Sequence, residues 1–225
     1  MNAHNANLAF RDPEFAAILA LADLAYADGM GVVWGWGLLG RPLPERVNAG
    51  DFIAEFCRRA AARGVSLYLL GGRPGVAAEA ARRWTQAAPG LRVAGTRHGY
   101  FTAEEEPALA EAVRQAAPDI LLVGMGAPRQ EKWARRWAEP IGAPVVWCVG
   151  ALFEYWGEAR PRAPVWMRRG GLEWAWRLAL EPRRLGRRYL IGNLEFLLNL
   201  RRLRRAIREE KAQAGDADGQ GKGSP

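Results

Sequence analysis

The sequence is poor in cysteine and histidine and has no long apolar run. Two cysteines and two histidines occur among 225 residues, and no CxxC pair is present. We therefore expect neither a structural zinc site nor a disulfide framework, and a reducing cytosol is the natural compartment. No stretch reaches about 18 consecutive apolar residues, and the first residues lack the basic and apolar regions of a signal peptide. We expect a chain that is neither exported nor membrane-spanning.

Lysine is scarce as well, and the positive charge is concentrated towards the C-terminus. The net charge is +8, but residues 160–208 alone hold fourteen Arg, no Lys and three acids, a net of +11, so the rest of the chain carries −3. A genomic base composition that favours Arg codons would produce this excess of Arg over Lys. The planar guanidinium also suits bidentate binding of phosphate groups, so this quarter of the chain predicts a phosphate-bearing partner.

Helix-like and strand-like segments alternate through the remaining residues. Helical apolar spacing occurs in residues 12–27 and 48–64, among others. The predicted strands are the apolar runs MGVVWGW, VSLYLLGG, LRVAGTRHGYF, DILLVGMG and APVVWCVGA. Continuous apolar strands that alternate with helices favour a parallel sheet covered on both faces. The sequence thus predicts an α/β, Rossmann-like fold with a mostly parallel sheet and helices on both faces.

Glycine-rich loops follow several predicted strands. They read GGRPG (71–75), RHGY (97–100), GMGAPRQ (124–130) and GA (150–151). Ligands of such sheets bind at the carboxyl ends of the strands, where glycine permits close approach and helix N-termini attract anions. Each loop alone is an ordinary strand-to-helix turn, but their recurrence predicts a phosphorylated ligand. No P-loop is present, and no GxGxxG opens a helix, which makes a dinucleotide less attractive.

The segment ADGMGVVW places one carboxylate, Asp28, between an apolar segment and two glycines. Aspartate beside glycine is usually a turn residue, because Asp tolerates turn conformations and Gly supplies positive φ. Taken alone, the residues favour this turn or helix-capping role over catalysis.

Blocks spread over residues 2–200 resemble a known family. They read NAxxxxLAxRDPEF, ADGMGVVW, LLGRPLPERV, LLGGRPGVA, GTRHGYF, DILLVGMGAPRQEKW, RAPVWMRRGGLEWAWRL and EPRRLGRRYLIGN. The blocks are similar, in this order, to the WecG/TagA/CpsF family of bacterial glycosyltransferases (family 26). The resemblance implies an inverting hexosyltransferase that moves N-acetylmannosamine, or a related sugar, from a UDP-sugar to undecaprenyl-diphosphate-GlcNAc in teichoic acid or other cell-surface polysaccharide synthesis.

The resemblance gives several polar residues a role in this reaction. It makes Asp28 the general base that takes the proton of the acceptor hydroxyl. Asn2 matches the asparagine of the family's T-x-N motif, which implies a contact with a sugar. Arg46 matches a cation that faces a diphosphate, although by itself it reads as a surface arginine. Gln130 matches a polar active-site residue, although it could equally be a solvated first-turn residue.

Three further positions fall where the family binds the nucleotide. They are Gly99, Tyr100 and Glu154, and the match implies that Tyr100 packs near the uracil. Glu154 departs from the Asp that is frequent at this position. The family uses no cofactor that the sequence would have to hold, and we expect no metal requirement.

The C-terminal segment, residues 159–210, alternates Trp, Leu and Tyr with Arg at helical spacing. Helices with a cationic side and an apolar side suit an anionic membrane surface, although the apolar side could also pack on the catalytic domain. The resemblance implies an appendage that does both, with Arg177, Arg184 and Arg187 holding the lipid diphosphate. We expect a cytoplasmic enzyme, peripheral on the inner face of the cell membrane, whose exposed aromatic surface also permits homo-oligomers.

Both ends of the chain carry separate expectations. Residues 1–158 are predicted as the catalytic domain, apparently without the strand and helix that precede the T-x-N motif in the family. Residues 211–225 are rich in Gly and polar residues and are predicted to be disordered, so the Asp216-Ala217-Asp218 sequence is not read as a metal motif. Two alternatives stay open: an inactive, truncated relative that acts as a membrane scaffold, and an Arg/Trp-rich protein that binds nucleic acid.

Overall fold

The computed structural model describes residues 1–157 and 162–220, without the side chains of Arg169, Arg184, Arg187, Arg188 and residues 210–220. The helices, in chain order, are α1 (Ala3–Arg11), α2 (Pro13–Ala20), α3 (Met30–Leu38), α4 (Ala49–Ala62), α5 (Val76–Ala87), α6 (Glu106–Ala116), α7 (Arg129–Ile141), α8 (Leu152–Gly157), α9 (Val165–Arg169), α10 (Glu173–Leu180) and α11 (Pro182–Gln220). The strands are β1 (Ser66–Gly71), β2 (Arg92–Arg97), β3 (Ile120–Gly124) and β4 (Val145–Cys148).

The chain divides into two compact units, each built from separated segments. The sheet unit comprises Asp12–Ala25 and Val47–Pro164, and the helical unit comprises Met1–Arg11, Tyr26–Arg46 and Val165–Pro225. All the strands therefore belong to the sheet unit.

In the sheet unit, the described strands form one parallel sheet in the order β2-β1-β3-β4. The chain runs outwards from β1 to β2, then returns to β3 on the other side of β1, so the strand order reverses between β1 and β3. Ligands of open parallel sheets bind beside such a reversal, at the carboxyl ends of the strands. The α/β, Rossmann-like prediction is confirmed.

Helices cover both faces of this sheet, as the apolar strands predicted. Leu67 and Leu69 of β1 pack with α4, α5 and α8, whereas Tyr68 and Leu70 of the same strand pack with α6 and α7. Because successive strand residues point to opposite faces, a strand buried on both faces has no polar alternation.

Local sequence signals explain where the helices of the sheet unit begin. The Asp12 carboxylate accepts a hydrogen bond from Phe15 N at 3.0 Å and caps α2, which has Pro13 at its first position. Asn48 caps α4 in the same way, accepting from Gly50 N at 2.9 Å. Side-chain oxygens at these positions satisfy N–H groups that have no partner within the helix.

β1 and β3 end side by side, at Gly71 and Gly124. A Cβ on Gly71 would lie only 2.2 Å from the carbonyl oxygen of Gly124, and the φ of Gly71 is +150°. A Cβ on Gly124 would lie 2.8 Å from the carbonyl oxygen of Gly150. Glycine is required at Gly71 by both space and backbone conformation.

In the helical unit, the N-terminal helix α1 packs on the long helix α11. The buried Asn7 of α1 donates from Nδ2 to the carbonyl oxygen of Gly192 at 2.7 Å, and Asn199 Nδ2 donates to Asn7 Oδ1 at 3.2 Å. Arg11 and Glu195 form an ion pair between the same two helices. These contacts tie the first residues of the chain to its C-terminal part.

The segment MGVVWGW forms most of helix α3, so the predicted strand at residues 30–36 was wrong. A short apolar run has the same pattern in a buried strand and in a buried helix, and only the neighbours decide between them. Here α3 packs on α11 through Gly35, where a Cβ would lie 2.9 Å from Leu200 and 3.0 Å from Phe196. The helix predicted over residues 12–27 is also shorter and ends at Ala20.

The grouping of segments differs from the predicted boundaries at residues 158 and 210. Residues 1–11 and 26–46 pack with the C-terminal helices because their buried side chains face α11 and not the sheet. Helix α11 continues through residues 211–220, part of the predicted disordered tail, and residues 221–225 lie outside the described residues. The functional division into catalytic domain and appendage stays a prediction.

Among the helices that the structure describes, none combines the length and the apolarity needed to cross a lipid bilayer.

We predict that Gly71→Ala lowers the free energy of unfolding by about 3 kcal/mol, because the methyl group overlaps the Gly124 carbonyl and the positive φ is strained. Urea unfolding followed by circular dichroism measures the change. The matched control is Gly37→Ala, since Gly37 lies in α3 and a Cβ added there would have no neighbouring atom within 4 Å. The free energy of unfolding of this control should rise by up to about 1 kcal/mol, because alanine is more favourable than glycine inside a helix. Equal stability of parent and Gly71→Ala would show that the two strands can separate at this point.

Candidate functional site

The carboxyl edge of the sheet is a set of loops held together by backbone contacts between glycines. Gly72 N donates to the carbonyl oxygen of Gly124 at 3.0 Å, and Gly99 N donates to the carbonyl oxygen of Gly72 at 2.9 Å. A Cβ on Gly99 would lie 2.9 Å from the Met125 side chain. The loops that follow β1, β2 and β3 therefore form a single closely packed edge with little side-chain bulk.

Gln130, at the start of α7, joins two of these loops. Its side chain is 5% exposed, and Oε1 accepts hydrogen bonds from Gly126 N at 3.1 Å and from Gly150 N at 3.0 Å. Nε2 donates to Glu131 Oε1 at 2.7 Å. The alternative of a solvated first-turn residue does not apply, because Gln130 is buried and connects the loops after β3 and β4.

Glu131 is the next residue and is also buried, with 9% of its surface exposed. Its Oε2 atom has no hydrogen-bond partner among the described residues. Burial raises the pKa of the Glu131 carboxyl above its usual range, and the hydrogen bond from Gln130 lowers it by a smaller amount. These conditions favour the neutral acid.

The three positions predicted to bind a nucleotide lie in the loops and helix that follow β2 and β4. Gly99 is buried, whereas the Tyr100 side chain is 63% exposed and its backbone N–H donates to His98 Nδ1 at 3.2 Å. Glu154 lies in the first turn of α8 and is half-buried. A cleft of about 180 Å³ adjoins His98, and its lining residues are Gly75, Ala77, Ala78, Thr96, Arg97 and His98.

A second cleft, of about 350 Å³, lies beside α7 and is lined by the cations Arg129, Lys132 and Arg136. Arg129 donates to the carbonyl oxygen of Phe101, and Arg136 pairs with Glu106. Lys132 pairs with Asp12 and Glu14. Lys132 and Arg136 are thus paired with acids, whereas the partner of Arg129 is a neutral carbonyl.

In the helical unit, Asn2 and Asp28 lie beside each other. The carbonyl oxygen of Met1 accepts from Asp28 N at 2.7 Å and from Gly29 N at 3.2 Å, and a Cβ on Gly29 would lie 3.1 Å from Asn2 Cβ. Asp28 is half-buried and directly precedes Gly29, the N-cap of α3. Asp28 lies in an extended segment before the helix, so the turn and N-cap roles predicted for it are not seen, and the backbone contacts bring residues 28 and 29 next to Asn2.

Asn2 also begins helix α1. Its Oδ1 accepts from His4 N at 3.0 Å and from Asn5 N at 3.2 Å. These bonds fix the amide plane and therefore the direction of the Nδ2 donors, for which the described residues show no hydrogen-bond acceptor. Asn2 thus has a structural capping role and, at the same time, donors that a ligand could use.

Arg46 is mostly buried and forms an ion pair with Glu173 of α10. Arg46 Nη1 donates to Glu173 Oε2 at 2.8 Å, and the two side chains are 13% and 12% exposed. The reading of Arg46 as a surface arginine does not apply. A pair this poorly solvated is weakly screened, so Glu173 holds the guanidinium in one place.

The predicted lipid-diphosphate residues lie on α10 and α11. Arg177 is half-buried on α10, and the side chains of Arg184 and Arg187 on α11 lie outside the described residues. α11 buries Leu185, Phe196 and Leu200 but exposes a stripe of five apolar side chains. This stripe, hereafter the leucine stripe, comprises Leu190, Ile191, Leu194, Leu197 and Leu198.

Among the His, Cys, Asp and Glu side chains that the structure describes, no three come together in a way that could hold a metal ion. The Asp216 and Asp218 side chains lie outside the described residues. Metal independence stays a prediction.

Sequence reasoning missed two acids of the site, Glu131 and Glu173. Each stands in the first turn of a helix, where an acid is common because it interacts favourably with the helix dipole. Nothing local in the sequence distinguishes such a solvated acid from a buried one.

Comparison with known proteins relates this chain to one family. The sequence profile of the glycosyl transferase WecG/TagA/CpsF family matches residues 1–211. An N-acetylglucosaminyldiphosphoundecaprenol N-acetyl-beta-D-mannosaminyltransferase from Bacillus spizizenii is 30% identical over 176 residues, which cover 78% of this chain and 68% of the relative. The resemblance seen in the sequence is confirmed: the chain belongs to the WecG/TagA/CpsF family of glycosyl transferases.

Proposed function

We propose that this chain transfers N-acetylmannosamine, or a closely related sugar, from a UDP-sugar to the GlcNAc of an undecaprenyl-diphosphate-linked acceptor. The observation that carries the proposal is the family match over residues 1–211, since the family consists of glycosyl transferases. The name of the Bacillus spizizenii relative supports the sugar and the acceptor. Such a product would enter teichoic acid or another cell-surface polysaccharide.

Asp28 is proposed as the general base of an inverting displacement. An acceptor hydroxyl oxygen bonds to the anomeric carbon while the bond from that carbon to the UDP oxygen breaks, and the electron pair leaves with the β-phosphate. The Asp28 carboxylate takes the hydroxyl proton. The half-burial of Asp28 and the backbone hydrogen bonds from Asp28 N and Gly29 N to Met1 O support this role, because they fix the main chain that carries the carboxylate.

The sugar nucleotide is proposed to bind at the carboxyl edge of the sheet. The glycines of this edge leave room for the ligand to approach the protein backbone. The exposed ring of Tyr100 offers a face for the uracil. The Oε1 atom of Gln130 already accepts hydrogen bonds from two backbone amides. The group that the Gln130 side chain offers to a ligand is therefore an Nε2 hydrogen. Glu154 is proposed to contact the nucleotide.

Two residues of the helical unit are proposed to bind the polar groups of the substrates. Asn2 contacts a sugar through its Nδ2 donors. Arg46 offsets negative charge on a diphosphate, and its ion pair with Glu173 fixes the guanidinium before the ligand arrives. Positioning of this kind lowers the reorganisation needed in the transition state.

The leucine stripe and the arginines that follow it are proposed to bind an anionic membrane surface. Arg201, Arg202, Arg204, Arg205 and Arg208 are all exposed on α11 beyond the stripe. Apolar side chains enter the interface while cations attract anionic headgroups. The enzyme would then be peripheral on the cytoplasmic face, with Arg177, Arg184 and Arg187 near the lipid diphosphate.

We predict that Asp28→Asn lowers the rate of transfer from UDP-ManNAc to a short-chain undecaprenyl-diphosphate-GlcNAc analogue by a factor of about 10² to 10⁴, the usual contribution of a general base. Mass spectrometry of the lipid product measures the rate. Asp23→Asn is the matched control, because Asp23 is exposed in the loop after α2 and should leave the rate unchanged.

Equal rates for parent and Asp28→Asn would remove Asp28 from the mechanism. An inactive parent that still binds membranes would favour the scaffold alternative. Tight, strongly salt-dependent binding of oligonucleotides would instead favour the nucleic-acid alternative.

We predict that replacing Leu190, Leu194 and Leu197 together by Gln weakens cosedimentation with vesicles of phosphatidylglycerol and phosphatidylcholine by about tenfold or more, because three exposed apolar side chains no longer enter the interface. In the control, Leu21 and Leu24, which are exposed on the sheet unit, are replaced by Gln. Light scattering without lipid completes the test. If the triple variant binds vesicles normally but turns an oligomer into a monomer, the stripe is a self-association surface.

We predict that transfer is unaffected by EDTA, because charge on the leaving phosphate is offset by arginine and backbone N–H groups. Initial rates with and without EDTA test this. A loss of activity that Mn²⁺ restores would contradict it.

A further inference from the structure

Glu131 is a buried acid that the proposed mechanism does not use. It is 9% exposed, and its Oε2 atom has no hydrogen-bond partner among the described residues. An unpartnered polar atom in the interior destabilises a fold, and an apolar side chain of similar size would be more favourable there. Stability therefore gives no reason for a carboxyl group at this position.

The other oxygen of Glu131 has a specific partner. Oε1 accepts the hydrogen bond from Gln130 Nε2 at 2.7 Å. On the opposite side of the same amide, Gln130 Oε1 accepts from Gly126 N at 3.1 Å and Gly150 N at 3.0 Å. Three hydrogen bonds thus define the plane of the Gln130 amide, and in one of them Glu131 supplies the acceptor.

The fixed amide has two consequences for the edge of the sheet. Gly126 belongs to the loop after β3, and Gly150 belongs to the loop after β4. Because the Gln130 amide oxygen accepts from both glycines, it fixes the distance between the two loops. Nε2 carries a second hydrogen, for which the described residues show no acceptor. Its direction is set once the first hydrogen is bound to Glu131.

We propose that Glu131 is a positioning residue: through its hydrogen bond to Gln130 it fixes the loops that contain Gly126 and Gly150 and aims the remaining Gln130 N–H at the sugar nucleotide. The inference rests on the proposed function, because it takes that nucleotide as the ligand of the edge. Glu131 itself does not touch the substrate. Burial raises the pKa of its carboxyl, and the hydrogen bond donated by Gln130 lowers that pKa by a smaller amount.

A double-mutant cycle tests whether Glu131 acts through Gln130. Glu131→Met replaces the carboxyl by an apolar group of similar length and should lower kcat/KM for the UDP-sugar by about tenfold or more, as expected when a supporting hydrogen bond is lost. Glu131→Gln keeps a carbonyl acceptor and should recover most of this loss. In a Gln130→Ala background, Glu131→Met should lower kcat/KM little further, because the side chain that Glu131 positions is absent.

The second measurement does not depend on activity. In the full-length chain without substrate, NMR-detected hydrogen exchange of the Gly126 and Gly150 amides should be about tenfold faster in Glu131→Met and in Gln130→Ala than in the parent. Glu131→Gln should exchange at nearly the parent rate. If Glu131→Met does not fold, Glu131→Asp replaces it, since the shorter side chain withdraws the acceptor while keeping the carboxyl.

The outcomes separate this inference from the proposed function. The role of Glu131 would be overturned if the losses of kcat/KM from the two single substitutions add in the double mutant. It would also be overturned if the exchange rates of the Gly126 and Gly150 amides do not change. A parent chain that does not transfer sugar from UDP-ManNAc would overturn the proposed donor, while the exchange measurement would still decide whether Glu131 holds the loops.

Discussion

The contact between Gly71 and Gly124 is the constraint on which the carboxyl edge of the sheet depends. A side chain on Gly71 would overlap the Gly124 carbonyl, so β1 and β3 can end side by side only because Gly71 carries none. The loops that follow then hydrogen-bond to each other from Gly72 and Gly99. This edge lies where the strand order reverses, which is where open parallel sheets leave room for a ligand.

Each unit contains poorly solvated polar side chains that hold a loop or another side chain in a fixed position. Gln130 and Glu131 join the loops at the edge of the sheet, and Arg46 is held by Glu173 in the helical unit. Such groups lose solvation when they are buried, and apolar replacements would frequently be as stable. Local arrangements that do not serve stability are expected at functional sites, which agrees with the roles proposed for these residues.

The helical unit combines the two ends of the chain. α1 is tied to α11 by Asn7 and Asn199, and α3 packs on α11 through Gly35. The segment that brings Asp28 beside Asn2 therefore belongs to the same packed unit as the leucine stripe. In the proposed function this unit carries both the general base and the membrane surface, whereas the sheet unit binds the nucleotide.

The sequence by itself determined the parallel sheet and the family. The apolar runs that became β1 and β3 are buried on both faces, as continuous apolar strands predict. The quoted blocks, from ADGMGVVW to EPRRLGRRYLIGN, are long enough to identify relatives. Only the tertiary structure decided that MGVVWGW is a helix, because a short apolar run takes the conformation that its neighbours impose. Tertiary structure also decided that Glu131 and Glu173 are buried. An acid in a first helical turn looks the same in sequence whether it faces water or a partner, and burial depends on elements far away along the chain.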